Sequence, residues 1–275
     1  MRLKFLFLAS ALFCLSLEGG SVSESTSYPS FCLQAATEDA IFFNFKRNPI
    51  YTQILEHVTY DLGLQYLNVI VEKYPHLLPY FDGFRENDAI GNPMVYNYGE
   101  YGTFSPTTLR YIKIAGDLIE KFGDLSNMHI VELGGGYGGQ CKTLASLGMF
   151  KKYTIIDLPA CNDLSRRYLN ELAVQNVIFM ESTHVSEIKD YDLLISNYAF
   201  SEIDEIEQKE YISKVINYAL NGYMIYNFFT PNSLPFNRFC SYLSDQGRSI
   251  EIQTETPLTS PSTIPLNLEV VWRTQ

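Results

Sequence analysis

The stretch from Met128 to Gln140 limits what this chain can fold into more than any other. It reads Met-His-Ile-Val-Glu-Leu-Gly-Gly-Gly-Tyr-Gly-Gly-Gln, an apolar run (Ile130, Val131, Leu133) that carries one acid, Glu132, and then breaks into glycine. A short apolar run bounded in this way predicts a buried strand that opens through a tight turn into a helix. Gly134, Gly136 and Gly139 satisfy G-x-G-x-x-G, the pattern of nucleotide-binding βαβ units. Glycine suits such a turn because the backbone needs positive φ and a ligand must approach without a Cβ in its way. The pattern does not by itself choose the nucleotide, so the flanking chain has to decide.

Downstream, apolar runs alternate with helical patterns. A helix over 138–147 stops at Gly148, and a second strand, Tyr153–Asp157, ends on an acid followed by Leu158-Pro159. A helix over 164–173 leads to a third strand, Asn176–Met180, whose polar end is Glu181-Ser182-Thr183-His184. The fourth strand, Asp192–Ser196, opens into Asn197-Tyr198-Ala199-Phe200-Ser201-Glu202. A helix over 205–220 closing on Asn221-Gly222, a fifth strand Tyr223–Phe228 and a short helix near 236–243 follow. Strands alternating with helices imply right-handed crossovers and a parallel sheet. The last two β-rich stretches, 249–254 and 266–272, have no full helix between them and predict an antiparallel pair at the edge. The expected fold class is therefore α/β, a Rossmann-like, mostly parallel sheet.

Upstream the chain changes character. Arg2 and Lys4 precede an apolar run, Phe5–Leu17, and small residues at Gly19, Gly20 and Ser21, the order of a secretory signal. The run is too short for a comfortable membrane span of about 20 residues. Residues 21–34 read as a spacer, disordered over its Ser- and Thr-rich part at 21–30. Residues 35–104 form a helical extension with a substrate-side loop. Within it Asn48-Pro49 starts a helix whose apolar face continues through Ile50, Ile54, Val58 and Leu62. The loop at 82–104, with Asn92, Tyr96 and Tyr98, is turn-rich and aromatic, and long loops of this kind are often functional. Ser105-Pro106 then caps a helix that Gly123 stops. Arg110 lies off its apolar stripe, where a guanidinium could reach a carboxylate. The main domain is 105–275.

Composition removes some functions. A net charge of −11 without a basic stripe argues against nucleic acid, whose phosphates need clustered Lys and Arg. Cys14, Cys32, Cys141, Cys161 and Cys240 show no C-x-x-C or zinc-like spacing, which predicts buried free thiols rather than a disulfide framework. No compact His/Asp cluster points to a metal.

Two acids choose the nucleotide. Asp157 ends strand two about 20 residues beyond the first glycine, where an acid accepts hydrogen bonds from ribose hydroxyls. Glu132 stands two residues before the first glycine. There it would face a pyrophosphate in a dinucleotide site, but it suits a ligand that carries an ammonium and a sulfonium. No Walker lysine follows the glycines. The pattern E-x-G-x-G with an acid ending strand two resembles the class I S-adenosylmethionine-dependent methyltransferases.

The likeness extends to Gly91-Asn-Pro93, Ser105–Tyr111, Val131–Gln140, Ile156-Asp-Leu-Pro159 and Ile195–Glu202, which resemble the sugar O-methyltransferase family over roughly residues 85–230. The resemblance implies S-adenosylmethionine as cofactor and a small-molecule or glycan acceptor. It assigns the methionine part of the cofactor to Glu132 and the Gly134, Gly135, Gly136, Tyr137 and Gly138 backbone. Asp157 would hold the ribose and Leu158 the adenine face, with Glu181 or Ser182 at the adenine edge. Asn197 and Tyr198 would flank the sulfonium and acceptor. Glu202 and His184 are the candidate general bases. Asn92, Tyr96, Tyr98 and Arg110 are candidates for the acceptor side.

Two alternatives and one further question stay open at this point. One is a non-catalytic, exported carbohydrate- or cofactor-binding protein on the same fold. Another is an NAD-dependent oxidoreductase. The further question is location, because the N-terminus suggests export while supply of the cofactor suggests the cytoplasm.

Overall fold

The computed structural model describes residues 27–185, 188–260 and 265–274. The signal-like segment at 1–20 and the first residues of the expected spacer lie outside them. Seven strands build the main sheet: β1 (His129–Leu133), β2 (Lys152–Asp157), β3 (Val177–Glu181), β4 (Tyr191–Asn197), β5 (Ala219–Tyr226), β6 (Arg248–Thr254) and β7 (Leu268–Thr274). Their order across the sheet is β3-β2-β1-β4-β5-β7-β6. All run parallel except β7, which is antiparallel to both β5 and β6. The expected antiparallel pair is present, with β7 inserted ahead of β6 so that β6 forms the edge.

Both faces of the sheet are covered, which is why its central strands are apolar at consecutive positions rather than at alternate ones. Successive residues point to opposite faces. Ile130, Ile155, Leu193, Ile195, Tyr223 and Val271 pack under the N-terminal helices, while Val131, Leu133, Ile156, Leu194, Met224 and Trp272 pack under the helices that follow β4 and β5. A third core joins the extension to the domain: Tyr66, Leu67, Ile70, Tyr74, Phe81 and Phe84 close on Leu109 and Ile112.

Those last two residues belong to the helix Pro106–Phe122, which the whole molecule grips. It begins where the sequence predicts, with the Ser105 hydroxyl accepting from the Thr108 amide at 3.1 Å, and it ends at Gly123 with φ of +77°. The Asp88 carboxylate accepts from the Ser105 amide, the Ser105 hydroxyl and the Thr108 hydroxyl, each at 2.7 Å, and so pins the 82–104 segment to the helix start. Further along, Asp117 accepts from Tyr74 of the extension at 2.7 Å and Tyr223 of β5 at 2.6 Å, and pairs with Lys113 at 2.5 Å. These buried charges carry hydrogen bonds from several elements at once, the condition under which burial of an ion pair is tolerated.

Three expectations are corrected. The spacer expected at 21–34 is helical over Ser27–Thr37, because Tyr28, Phe31, Cys32 and Ala35 fall on one face and bury against the helix Pro159–Glu171. The helix started by Asn48-Pro49 stops at Ile54 and a new one, Tyr60–Lys73, is capped by Thr59, so Val58 and Leu62 do not continue it. The helix expected over 205–220 ends at Lys214. Leu220, Asn221 and Gly222 lie in β5, where Gly222 gives room to the Trp272 indole. The 82–104 segment holds a short helix, Phe81–Arg85, and a hairpin pairing Tyr96–Asn97 with Thr103–Phe104. Cys32, Cys141 and Cys161 are buried free thiols, as the spacing predicts.

Candidate cofactor and acceptor site

The parallel strands end together, and the sheet order reverses between β1 and β4. Open α/β sheets bind ligands in the crevice at such a switch point. Glu132 is 3% exposed near the end of β1 and accepts from the Tyr153 hydroxyl at 2.9 Å. Burial pushes its carboxyl up to about 7, against the Tyr153 hydrogen bond and with help from the Asp157 charge. Asp157 closes β2 and accepts from the Gly136 amide at 2.8 Å and the Leu158 amide at 2.7 Å. Its pKa is raised to about 6 by burial, with these amides pulling it down. Each carboxylate oxygen has room for a second acceptor bond, so Asp157 can fix the turn and still receive hydroxyls.

The turn itself departs from the expectation that a ligand demands its glycines. Gly134 and Gly136 do need positive φ, +73° and +57°. Protein fills the space where their Cβ atoms would stand. Ala199 lies 2.2 Å from that of Gly134, and Leu55 Cδ1 lies 2.6 Å from that of Gly136. Leu55 follows the helix Pro49–Ile54, so the extension reaches over the glycine turn.

β4 delivers Asn197, whose side-chain nitrogen and oxygen are both buried without a hydrogen-bond partner among the described residues. Buried amide groups left unpaired cost about 1–3 kcal/mol each. A protein keeps such a group where a ligand satisfies it. The next residue, Tyr198, has φ of +72°, rare for an aromatic residue and a store of backbone strain of the kind found at sites. Its hydroxyl donates to Glu255. Glu202 ends the short helix Ala199–Glu202 and accepts from the Asn227 amide at 2.6 Å, beyond β5. Burial pushes its carboxyl pKa up, and the Asn227 bond opposes this.

The other expected residues fall into different neighbourhoods. Leu158 is half-buried beside Asp157, and Glu181 pairs in register with Asp157 across β2 and β3. Ser182 begins the turn Ser182–His184 and lies near Tyr211. His184 has its backbone in that turn; its side chain lies outside the described residues. The Tyr137 side chain is 0% exposed and points away from the crevice, into a ring cluster with Phe45, Tyr51 and Tyr168. Asn92 donates to Asn44 at 3.0 Å and Tyr96 belongs to the hairpin. Tyr98 stacks on Tyr60 at 5.3 Å and wedges between Gly63 and Pro106, so its contacts are with the extension. Arg110 stands one turn after Pro106, 6% exposed, with Tyr111 and Tyr198 rings beside its guanidinium.

Sequence reading did not single out Leu55, Glu56, Tyr66 or Tyr211. His57 is exposed at the surface but stands near Arg110, and partial desolvation together with that charge lowers its pKa to about 4. Tyr211, half-buried on the helix Glu205–Lys214, approaches both Asp157 and Ser182. The surface grooves at Ala36, Arg166 and Arg167 and at Lys142, Phe150 and Leu172 hold none of these groups.

The sheet order with a single reversed strand is the mostly parallel, Rossmann-like α/β arrangement expected from the sequence. Among solved structures, the chain has partial likeness to several methyltransferases and related proteins. The methyltransferase domain of bacterial CtHen1 is 13% identical, with 60% of this chain and 97% of that one covered and a TM-score of 0.45. An O-methyltransferase family protein from Burkholderia thailandensis is 14% identical over 78% and 72% of the two chains, with a TM-score of 0.43. The YcgJ protein from Bacillus subtilis is 9% identical over 60% and 99%, with a TM-score of 0.44. No protein-family model and no curated protein matches the chain.

Proposed function

We propose that the chain is an S-adenosylmethionine-dependent methyltransferase that methylates a sugar hydroxyl. The observation that carries the cofactor reading is the meeting of Glu132, Asp157 and the unpartnered Asn197 amide at the carboxyl ends of β1, β2 and β4. An acid for an ammonium, an acid for a ribose and an amide awaiting a partner form a donor and acceptor set that fits this cofactor. The sugar acceptor is supported by the Gly-Gly-Gly-Tyr-Gly-Gly-Gln and Ser-Asn-Tyr-Ala-Phe-Ser-Glu strings and their resemblance.

When bound, S-adenosylmethionine supplies an electrophilic methyl group on a sulfonium. Glu132 then offsets the ammonium charge and Asp157 holds the ribose. Asn197 and Tyr198 fix the approach of the acceptor, since in-line transfer needs aligned reactants. Glu202 takes the hydroxyl proton as the oxygen attacks, and its raised pKa makes it a better base than an ordinary carboxylate. Asn227 holds it in place at 2.6 Å.

The test is transfer of a labelled methyl group from S-adenosylmethionine to a panel of sugars and glycolipid extracts. Glu202→Gln is expected to lower kcat at least 100-fold with unchanged cofactor affinity. Full turnover by that variant would remove Glu202 as the base, and no labelled sugar with any extract would remove the acceptor reading.

A further inference from the structure

Arg110 is a largely buried cation. It is 6% exposed, and no carboxylate among the described residues lies within salt-bridge distance. Its one hydrogen bond among the described residues is long, 3.4 Å from Nη2 to the Leu55 carbonyl oxygen. Two ring faces complete its surroundings, Tyr111 at 5.6 Å and Tyr198 at 5.9 Å to the ring centroids. A guanidinium carries five N–H donors in a fixed fork. Nη2 has the Leu55 carbonyl as acceptor, and the remaining donors keep some access to the surface, where a ligand can receive them.

The surroundings repeat the pattern. The Tyr66 hydroxyl, in a side chain 2% exposed, lies near Arg110 and has the Tyr198 hydroxyl within reach, but makes no hydrogen bond of good geometry among the described residues. Glu255, the carboxylate across Tyr198, is already used by the Tyr198 hydroxyl, Thr259 and Asn267. Glu56 lies within electrostatic reach of Arg110 but makes no salt bridge with it among the described residues, and burial pushes its carboxyl pKa up. The cation also sits between the two halves of the site. Leu55, whose carbonyl it holds, covers Gly136, and Tyr198 follows the unpartnered Asn197.

We propose that Arg110 and the Tyr66 hydroxyl form a carboxylate-binding subsite at the boundary between the glycine turn and the end of β4. A carboxylate matches the guanidinium fork with two parallel hydrogen bonds and leaves a lone pair for the tyrosine hydroxyl. On ligand binding Arg110 exchanges its long bond to Leu55 for this carboxylate. Two sources present that chemistry, the amino-acid end of the cofactor or an acidic sugar acceptor such as a uronic acid. The first source rests on the methyltransferase reading, and the subsite itself does not.

Calorimetry on the full chain separates these sources. In one arm S-adenosylhomocysteine and 5′-methylthioadenosine, which lacks the amino-acid end, are titrated into wild type, Arg110→Gln, Arg110→Lys and Tyr66→Phe. In the other, glucuronate and glucose are titrated into the same proteins. A loss of at least tenfold in affinity for S-adenosylhomocysteine in R110Q, with methylthioadenosine unchanged, assigns the carboxylate to the cofactor. A loss confined to glucuronate assigns it to the acceptor. In either case R110K should stay weakened, because an ammonium keeps the charge and loses the fork, and its melting curve checks the fold. Unchanged affinity for both carboxylates in folded R110K and R110Q overturns the subsite. Wild type that ignores S-adenosylhomocysteine but loses glucuronate on R110Q sinks the cofactor reading and keeps the subsite.

Discussion

Glu132 is a buried acid whose charge costs the fold stability. Its carboxyl is raised by burial to about 7. An acid with a folded-state pKa above its unfolded value binds the proton more tightly in the native chain. Its contribution to stability is therefore intact at acidic pH, falls as pH rises from the ordinary carboxylate value, and is fully lost above about 7. Replacing it by a neutral isostere should remove that cost. Glu132→Gln is expected to raise the melting temperature of the ligand-free protein by several degrees at pH 8, from on the order of 1–3 kcal/mol, and to change little at pH 4. Thermal melts at the two pH values measure this; an equal shift at both would assign the effect to packing instead of charge. Asn197 belongs to the same class, since its amide bears a desolvation cost that no protein group repays. Glu132 and Asp157 were both legible, because an acid inside an apolar run and an acid ending the next strand are conspicuous. Arg110 was legible as a cation off the stripe, but its partners were not.

At the level of elements, what could be read was whatever announces its own ends. Ser105-Pro106 and Gly123 bound their helix as expected. The break between Ile54 and Tyr60 was hidden because apolar residues keep a helical spacing across it, while Thr59 supplies a cap that favours a new start. The helix Ser27–Thr37 was hidden by its polar composition, although Tyr28, Phe31, Cys32 and Ala35 already carried the buried face. Leu220 and Gly222 were misassigned because the strand there is specified from a distance, by Trp272 on β7. An added Cβ at Gly222 would stand 2.0 Å from the indole, itself 0% exposed. Gly222→Ala is expected to cost about 1–3 kcal/mol or more through overpacking, read from the urea midpoint at unchanged slope. A midpoint equal to wild type would show that β5 and β7 can separate without loss.

For the molecule as a whole, the sheet was readable and the crevice only half so. Strand ends carry their own chemistry, so one wall of the site follows from Glu132, Asp157 and Asn197. The facing wall is assembled from Leu55, Tyr66 and Arg110, which meet only because Asp88 and Asp117 lock the extension and the sheet onto one helix. No local pattern encodes that meeting. The central claim is that the crevice holds an aminoacyl nucleoside through Glu132 and Asp157, and calorimetry with S-adenosylhomocysteine tests it most directly. Wild type should bind at pH 8 and about tenfold more weakly at pH 6, as a group with a pKa of about 7 takes up its proton. Glu132→Gln should flatten that dependence, and Asp157→Asn should weaken binding at both pH values. Absence of binding by the folded wild type, or equal affinity in all three proteins, would contradict the account.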